Sequence, residues 1–195
     1  LVTKNLQGLV RSVAPDRKCK VYLLHGDLTD EEMHSLYMND KISALVALPH
    51  GEGFGLPLFE AAYSGLPVVA TGWSGQLDFL VDEEGNDRFY NVSFDLDYVQ
   101  DEVVWDAVLI KDSMWAYARE HSAKEKMREC YDDLVSNKKD SIAATCCEFA
   151  NYTQERFAKE KQYALMVDSV LKHIGTNFQE QEEWREILDQ VVEYE

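Results

Sequence analysis

The chain has 195 residues, 46% of them hydrophobic, and a formal net charge of −17. That length and apolar content suit one domain, or slightly more, with a full core. A surface so acidic repels nucleic-acid phosphates and anionic lipid, which excludes nucleic acid as a partner and argues against membrane association.

No apolar run is long enough to span a bilayer, and the first residues form no secretion signal. Cys19, Cys130, Cys146 and Cys147 make no C-x-x-C pair and read as reduced thiols, the usage of a cytoplasmic protein.

Helical spacing begins at once. Leu1, Leu6, Leu9, Val10 and Val13 recur at three- and four-residue intervals before Pro15-Asp16 ends the pattern. A chain that opens inside a helix is expected of an excised piece of a longer protein. Cys19–Leu24 then reads as a strand and His25-Gly26-Asp27 as a turn. Thr29 and Glu32 form a capping box that opens a helix through about Met38. Ile42–Leu48 is a continuous apolar run, expected of a parallel strand covered on both faces.

Pro57 stands in the first turn of the next helix, where its missing N–H costs nothing. Leu56, Phe59, Ala62, Tyr63 and Leu66 are the expected buried side. Gly65 ends this helix, and Pro67–Thr71 is the next strand. Strand, helix and strand in so short a span make a βαβ unit with a right-handed crossover. A short helix over Gly75–Leu80 follows, then a turn-rich stretch over Val81–Asp97 with room for one more short strand.

From about Ser113 the pattern is mostly helical. Trp115, Ala118 and Arg119 come first, then Lys124–Leu134 with Met127, Tyr131 and Leu134 at helical spacing, then Ser141–Ile174. Gln179–Glu195 is an acidic tail with Trp184. The expected fold class is α/β: a Rossmann-like doubly wound parallel sheet over residues 1–135, its first strand missing, then a helical C-terminal extension over 136–195.

In such sheets ligands bind beyond the carboxyl ends of the strands. Leu48 and Thr71 both end strands, so the turns His50–Gly55 and Gly72–Gly75 are expected to share one rim. Gly51, Gly53 and Gly55 permit positive φ and close backbone approach. The N–H groups of Phe54, Gly55 and Leu56 lie at or just before a helix N-terminus, which attracts an anion without any lysine. Glu52 lies in the loop and Glu60 about one turn into the helix. A carboxylate accepts paired hydrogen bonds from vicinal hydroxyls, such as sugars and riboses present. Each part alone also has a plain use: glycines for a tight turn, Glu60 as a partner of the helix dipole. Together, between two buried strands, they point to a phosphorylated, hydroxyl-rich ligand.

The run Glu52-Gly53-Phe54-Gly55-Leu56-Pro57-Leu58-Phe59-Glu60, followed by Gly65-Leu66-Pro67-Val68-Val69-Ala70 and Ser74-Gly75, resembles the donor-binding domain of retaining GT-B glycosyltransferases of group 1. The family's E-x7-E motif falls on Glu52 and Glu60. The resemblance implies a glycosyltransferase whose donor substrate is a nucleotide-diphosphate sugar and which needs no cofactor. It places Glu52 at the reacting centre as the catalytic residue and Glu60 on the ribose. Gly53, Phe54, Gly55 and Leu56 would meet sugar hydroxyls and diphosphate through their backbone. Ser74-Gly75-Gln76-Leu77-Asp78 resembles the family's G-G-x-x-E turn, with Ser for Gly and Asp for Glu, and His25 stands where the family's loop approaches the base. The resemblance also implies an N-terminal acceptor-binding domain and a basic Arg/Lys pair that this chain lacks.

His50 beside the motif suits either a ligand contact or an ordinary turn. None of the five histidines has metal-ligand spacing, so no metal site is expected. Neither G-x-S-x-G, G-x-G-x-x-G nor a P-loop lysine occurs. Trp105, Trp115, Tyr117 and Trp184 read as core or domain-contact residues rather than a stacking platform. A non-catalytic nucleotide-sugar-binding or interaction module on the same scaffold stands as the alternative, and a GT-B-shaped epimerase after it.

Overall fold

The computed structural model describes residues 2–105, 107–173 and 182–187. Ile174 and most of the acidic tail lie outside the described residues. The chain divides into two compact units, Leu1–Met33 and His34–Glu195, with the boundary inside a helix.

The first unit opens with α1 (Val2–Val13). The run Cys19–Leu24, expected as a strand, is coil, and Val21, Tyr22, Leu23 and Leu24 are exposed. An apolar run becomes a strand only when a neighbour completes its ladder. The capping box forms as read. The Thr29 N–H donates to Glu32 Oε2 at 2.9 Å, and the Glu32 N–H donates to Thr29 Oγ1 at 3.3 Å. It opens α2 (Asp30–Tyr37).

The second unit is built on a parallel sheet of β1 (Leu45–Ala47), β2 (Val68–Thr71) and β3 (Tyr90–Val92), in the order β1-β2-β3. Val46 pairs with Val69, and Val69 with Tyr90. Every residue of β2 is buried. β1 is a corrected expectation: only Leu45–Ala47 of the apolar run pairs, and Val46 is 46% exposed. Among the described strands β1 has a partner on one side only, and hydrophobicity along a run does not distinguish an edge from a centre.

Between β1 and β2 runs α3 (Leu56–Tyr63). Its inward residues are Leu58, Ala61 and Ala62, whereas Leu56 is 62% exposed and Tyr63 37%. Of the expected buried side, Ala62 and Leu66 are buried and Phe59 is half-buried, while Leu58 and Ala61 are covered in place of Leu56 and Tyr63. α4 (Leu77–Leu80) follows β2.

The stretch after β3 holds a second sheet rather than the start of a helix. β4 (Phe94–Tyr98) and β5 (Met114–Ala118) pair antiparallel, Leu96 opposite Ala116. Trp115, Ala118 and Arg119 were expected on a helix, but Met114-Trp115-Ala116-Tyr117-Ala118 alternates with the period of a strand once Phe94–Tyr98 lies beside it.

Three helices complete the unit: α5 (Glu120–Val135), α6 (Lys139–Arg156) and α7 (Lys159–His173). Residues 182–187 are helical as well. The single segment expected over Ser141–Ile174 is broken at Phe157-Ala158. α5 packs Ala123 and Cys130 against Val69 and Val92, leaving Met127 and Tyr131 exposed. The architecture is α/β, Rossmann-like, with C-terminal helices.

Four phenylalanines tie the glycine-rich turn to these layers. Phe54 lies 5.2 Å from Phe59, 4.9 Å from Phe79 and 6.0 Å from Phe157, centroid to centroid. Phe79 is 1% exposed. The Phe54 ring therefore points into the core and only its backbone is left for the rim. Phe79→Ala removes the centre of this cluster and is expected to destabilise the protein by about 3–5 kcal/mol, read from the urea midpoint at unchanged m-value.

Asp82 organises the turn before β3. The Asn86 N–H donates to Asp82 Oδ1 at 2.8 Å and the Arg88 Nε to Oδ2 at 2.8 Å. The Asn86 backbone bond, with the Asn86 side chain and Arg88 behind it, holds the carboxyl down at about 2. A depressed folded value makes this stabilisation full above the unfolded value near 4 and lost as pH falls toward 2. Asp82→Asn is expected to flatten the loss of stability over that window in acid titrations followed by circular dichroism, and an unchanged acid limb would refute the assignment.

Candidate functional site

Parallel strands send their carboxyl ends to one side, so the segments after β1, β2 and β3 meet along one rim. Pro49–Gly55 follows β1, Gly72–Gln76 follows β2, and the β4–β5 ribbon begins one residue past β3.

The first two turns are clasped together. Ser74 Oγ donates to the Glu52 carbonyl at 2.7 Å and accepts the Glu52 N–H at 3.1 Å. The Gly75 N–H donates to the same carbonyl at 3.1 Å. Ser74 adopts φ 78°, a conformation costly for a side-chain-bearing residue, and the clasp holds it there. Gly75 permits the close approach: a Cβ there would stand 2.0 Å from the Gly53 carbonyl oxygen. Both backbone groups of Glu52 are thus engaged, and its carboxylate is left exposed.

Of the three glycines that permit positive φ, Gly55 adopts it, and an added Cβ at Gly53 would meet nothing within 4 Å. Gly55 is buried between Glu52, Leu58 and Gln76. The N–H groups of Phe54, Gly55 and Leu56 find no acceptor among the described residues. They lie at the positive end of the α3 dipole.

Glu60 is half-buried on α3 beside the buried Tyr37 of α2. Burial, then the Glu60 carboxylate next to it, pushes the Tyr37 hydroxyl up to about 12, so Tyr37 stays a neutral donor facing Glu60. Asp78, on α4, is held by Arg156 from the end of α6: Nη2 reaches Asp78 Oδ1 at 2.9 Å, and Nη1 donates to the Asp78 carbonyl. Beneath the turns Gln76 is fully buried and donates from Nε2 to the Thr71 carbonyl at 3.0 Å. Gln76 Oε1 and Thr71 Oγ1 have no partner there. Each such buried group costs about 1–3 kcal/mol while unpaired.

His50 is riveted to the ribbon. Its Nδ1 donates to the Ala116 carbonyl at 2.9 Å, the Ala116 N–H donates back to the His50 carbonyl at 3.0 Å, and its ring lies parallel to Trp115 at 5.0 Å. His25 belongs to the Leu1–Met33 unit, outside the unit that carries this rim. The second unit therefore gathers Glu52, Gly53, Phe54, Gly55, Leu56, Ser74 and Gly75 at the clasped turns, with Glu60, Asp78 and His50 on the elements that support them.

Sequence reasoning missed Tyr37, Arg156 and the ribbon. Tyr37 and Arg156 lie 23 and 78 positions from their partners Glu60 and Asp78. Only the strand-like alternation of Phe94–Tyr98 and Met114–Ala118 could have signalled the ribbon. Among the described residues no three His, Cys, Asp or Glu side chains gather as metal ligands would, and no helix is long and apolar enough to cross a membrane.

Residues 15–93 match the family model of glycosyl transferases group 1. No curated protein and no solved structure matches the chain. The matched residues include all three parallel strands, α3 and both clasped turns. The stretch that builds the rim is thus the part of the chain that is similar to the group 1 glycosyl transferases.

Proposed function

We propose that this chain is the donor-binding part of a retaining GT-B glycosyltransferase that uses a nucleotide-diphosphate sugar. One observation carries the reading: an exposed carboxylate, Glu52, is fixed by its own backbone beside free amides at a helix N-terminus, within the stretch that matches the family. The diphosphate would lie against the N–H groups of Phe54, Gly55 and Leu56, where the α3 dipole supplies positive potential that this acidic chain otherwise lacks. Glu60, oriented by Tyr37, would accept the ribose hydroxyls. Glu52 would face the transferred sugar near the bond that breaks. Preorganised amides stabilise the charge that gathers on a departing nucleotide diphosphate, which is the largest catalytic effect such a site offers.

Ser74 and Gly75 serve this reading by holding Glu52. Asp78 serves it through Arg156, and His50 through its ring edge at the rim. The division at residues 135 and 136, an acceptor-binding domain elsewhere in the full enzyme, the absence of a cofactor, and a cytoplasmic setting belong to the same proposal.

Calorimetry with UDP, GDP and ADP and their glucose or mannose conjugates tests it. At least one is expected to bind with a dissociation constant of about 1 µM to 1 mM, the usual span of Michaelis constants. Absence of binding by all of them to folded protein would sink the reading. Glu60→Ala is expected to weaken the nucleoside diphosphate roughly tenfold or more, the loss of hydrogen bonds to a charged acceptor. Unchanged affinity would remove Glu60 from the ribose.

A further inference from the structure

A cavity of about 250 Å³ lies at the opposite end of the parallel sheet from the rim. Pro67 and Val68, where β2 begins, and Phe89 and Tyr90, where β3 begins, line it, and Ile142 and Phe149 of α6 stand across from them. A second cavity of about 180 Å³ adjoins it and shares Arg88, Thr145 and Phe149 as walls. Neither is lined by the clasped turns. Taken together the two reach the size of site that holds a small molecule.

The two cavities differ in chemistry. The first has apolar walls, whereas the second is lined by Glu83, Glu84 and Glu148. The cations and hydroxyls of both are already engaged. Arg88 Nη2 lies 2.7 Å from Asp82 Oδ2, and Lys126 Nζ 2.8 Å from Glu129 Oε2. The Tyr90 hydroxyl donates to Asp133 Oδ2 at 3.2 Å, that of Tyr152 to Glu83 Oε1 at 3.4 Å, and that of Thr145 to the Ser141 carbonyl at 3.0 Å. The acceptors are not used up in the same way. The exposed carboxylates of Glu84 and Glu148 have no partner among the described residues, and Asp87 gives one oxygen to Asn91 and keeps the other. These side chains thus offer apolar surface and open carboxylates, and their donors are spent.

We infer that the joined cavities form a binding site for a small organic cation with an apolar body, the body seated between Pro67, Val68 and Phe149 and the ammonium among Glu83, Glu84 and Glu148. The chemistry is selective. An apolar body gains by leaving water in the first cavity, and an ammonium supplies the donors and the positive charge that the second lacks. A phosphate or carboxylate would meet open carboxylates and no free cation, within a chain of net charge −17. A nucleotide sugar is thus excluded from this end of the sheet. α6 lines both cavities, and its last residue, Arg156, holds Asp78 beside the donor turns. The ligand would therefore rest on a helix that also supports the rim.

The test is calorimetry on the 195-residue chain with three probes, in about 150 mM salt to screen long-range attraction. Tryptamine joins an aromatic body to an ammonium, indole-3-propionate joins the same body to a carboxylate, and putrescine has ammonium groups without a ring. Tryptamine is expected to bind with a dissociation constant of about 1 mM or tighter, and each of the others roughly tenfold more weakly or not at all. Thr145 and Glu148 are exposed, so replacing either leaves the core intact. Thr145→Trp fills the wall shared by the two cavities and is expected to abolish binding. Glu148→Gln removes one open carboxylate and is expected to weaken tryptamine about threefold, the effect of an exposed ion pair. No binding of tryptamine up to about 20 mM overturns the proposal. So does either control binding as tightly as tryptamine, or an unchanged tryptamine affinity in either variant. None of these outcomes depends on nucleotide binding at the rim, so either reading can fail while the other holds.

Discussion

The rim depends on one polar contact, the two-way bond between the Ser74 hydroxyl and the backbone of Glu52. A carboxylate on a glycine-rich loop has no fixed position of its own, because such a loop has many conformations of similar energy. Ser74 removes that freedom by engaging both the N–H and the carbonyl of the same residue. Gly75 makes the contact possible by letting the turns approach to a distance that a Cβ would forbid. The left-handed backbone of Ser74 is the local cost of this arrangement.

Behind the clasp, apolar packing supplies rigidity. Phe54 is inserted among Phe59, Phe79 and Phe157, so the turn, α3, α4 and the end of α6 are packed against one another. Arg156 adds a second tie through Asp78. The C-terminal helices thus help to form the site although they contribute none of its turns. Gln154 Nε2, also on α6, donates to the Tyr63 carbonyl at the end of α3 at 2.9 Å. Group-transfer sites need this preorganisation, since a misplacement of about 1 Å can cost on the order of a hundredfold in rate.

Much of the fold was legible because local rules were obeyed. The Thr29/Glu32 capping box, Pro57 in the first turn of α3, Gly65 at its end and the apolar Val68–Thr71 strand are short-range signals, and each forms in place. The errors share one cause. Cys19–Leu24 had the composition of a strand without the ladder of one, and Met114–Ala118 passed for helix because its partner lies twenty residues upstream. Leu56 and Tyr63 were expected on the buried side of α3 but are exposed, since the neighbours of a helix decide how far its apolar side is covered.

By itself the sequence determined the chemistry available at the rim: two carboxylates, a glycine-rich turn, a helix opening and a second glycine turn between buried parallel strands. Those follow from residue type and spacing, which act over a few residues. Only the tertiary structure decided how that chemistry is held. Ser74 on Glu52, Tyr37 beside Glu60, Arg156 on Asp78 and His50 stacked on Trp115 each join residues between 22 and 78 positions apart. Such pairs depend on how strands and helices close in space, which local propensity does not encode.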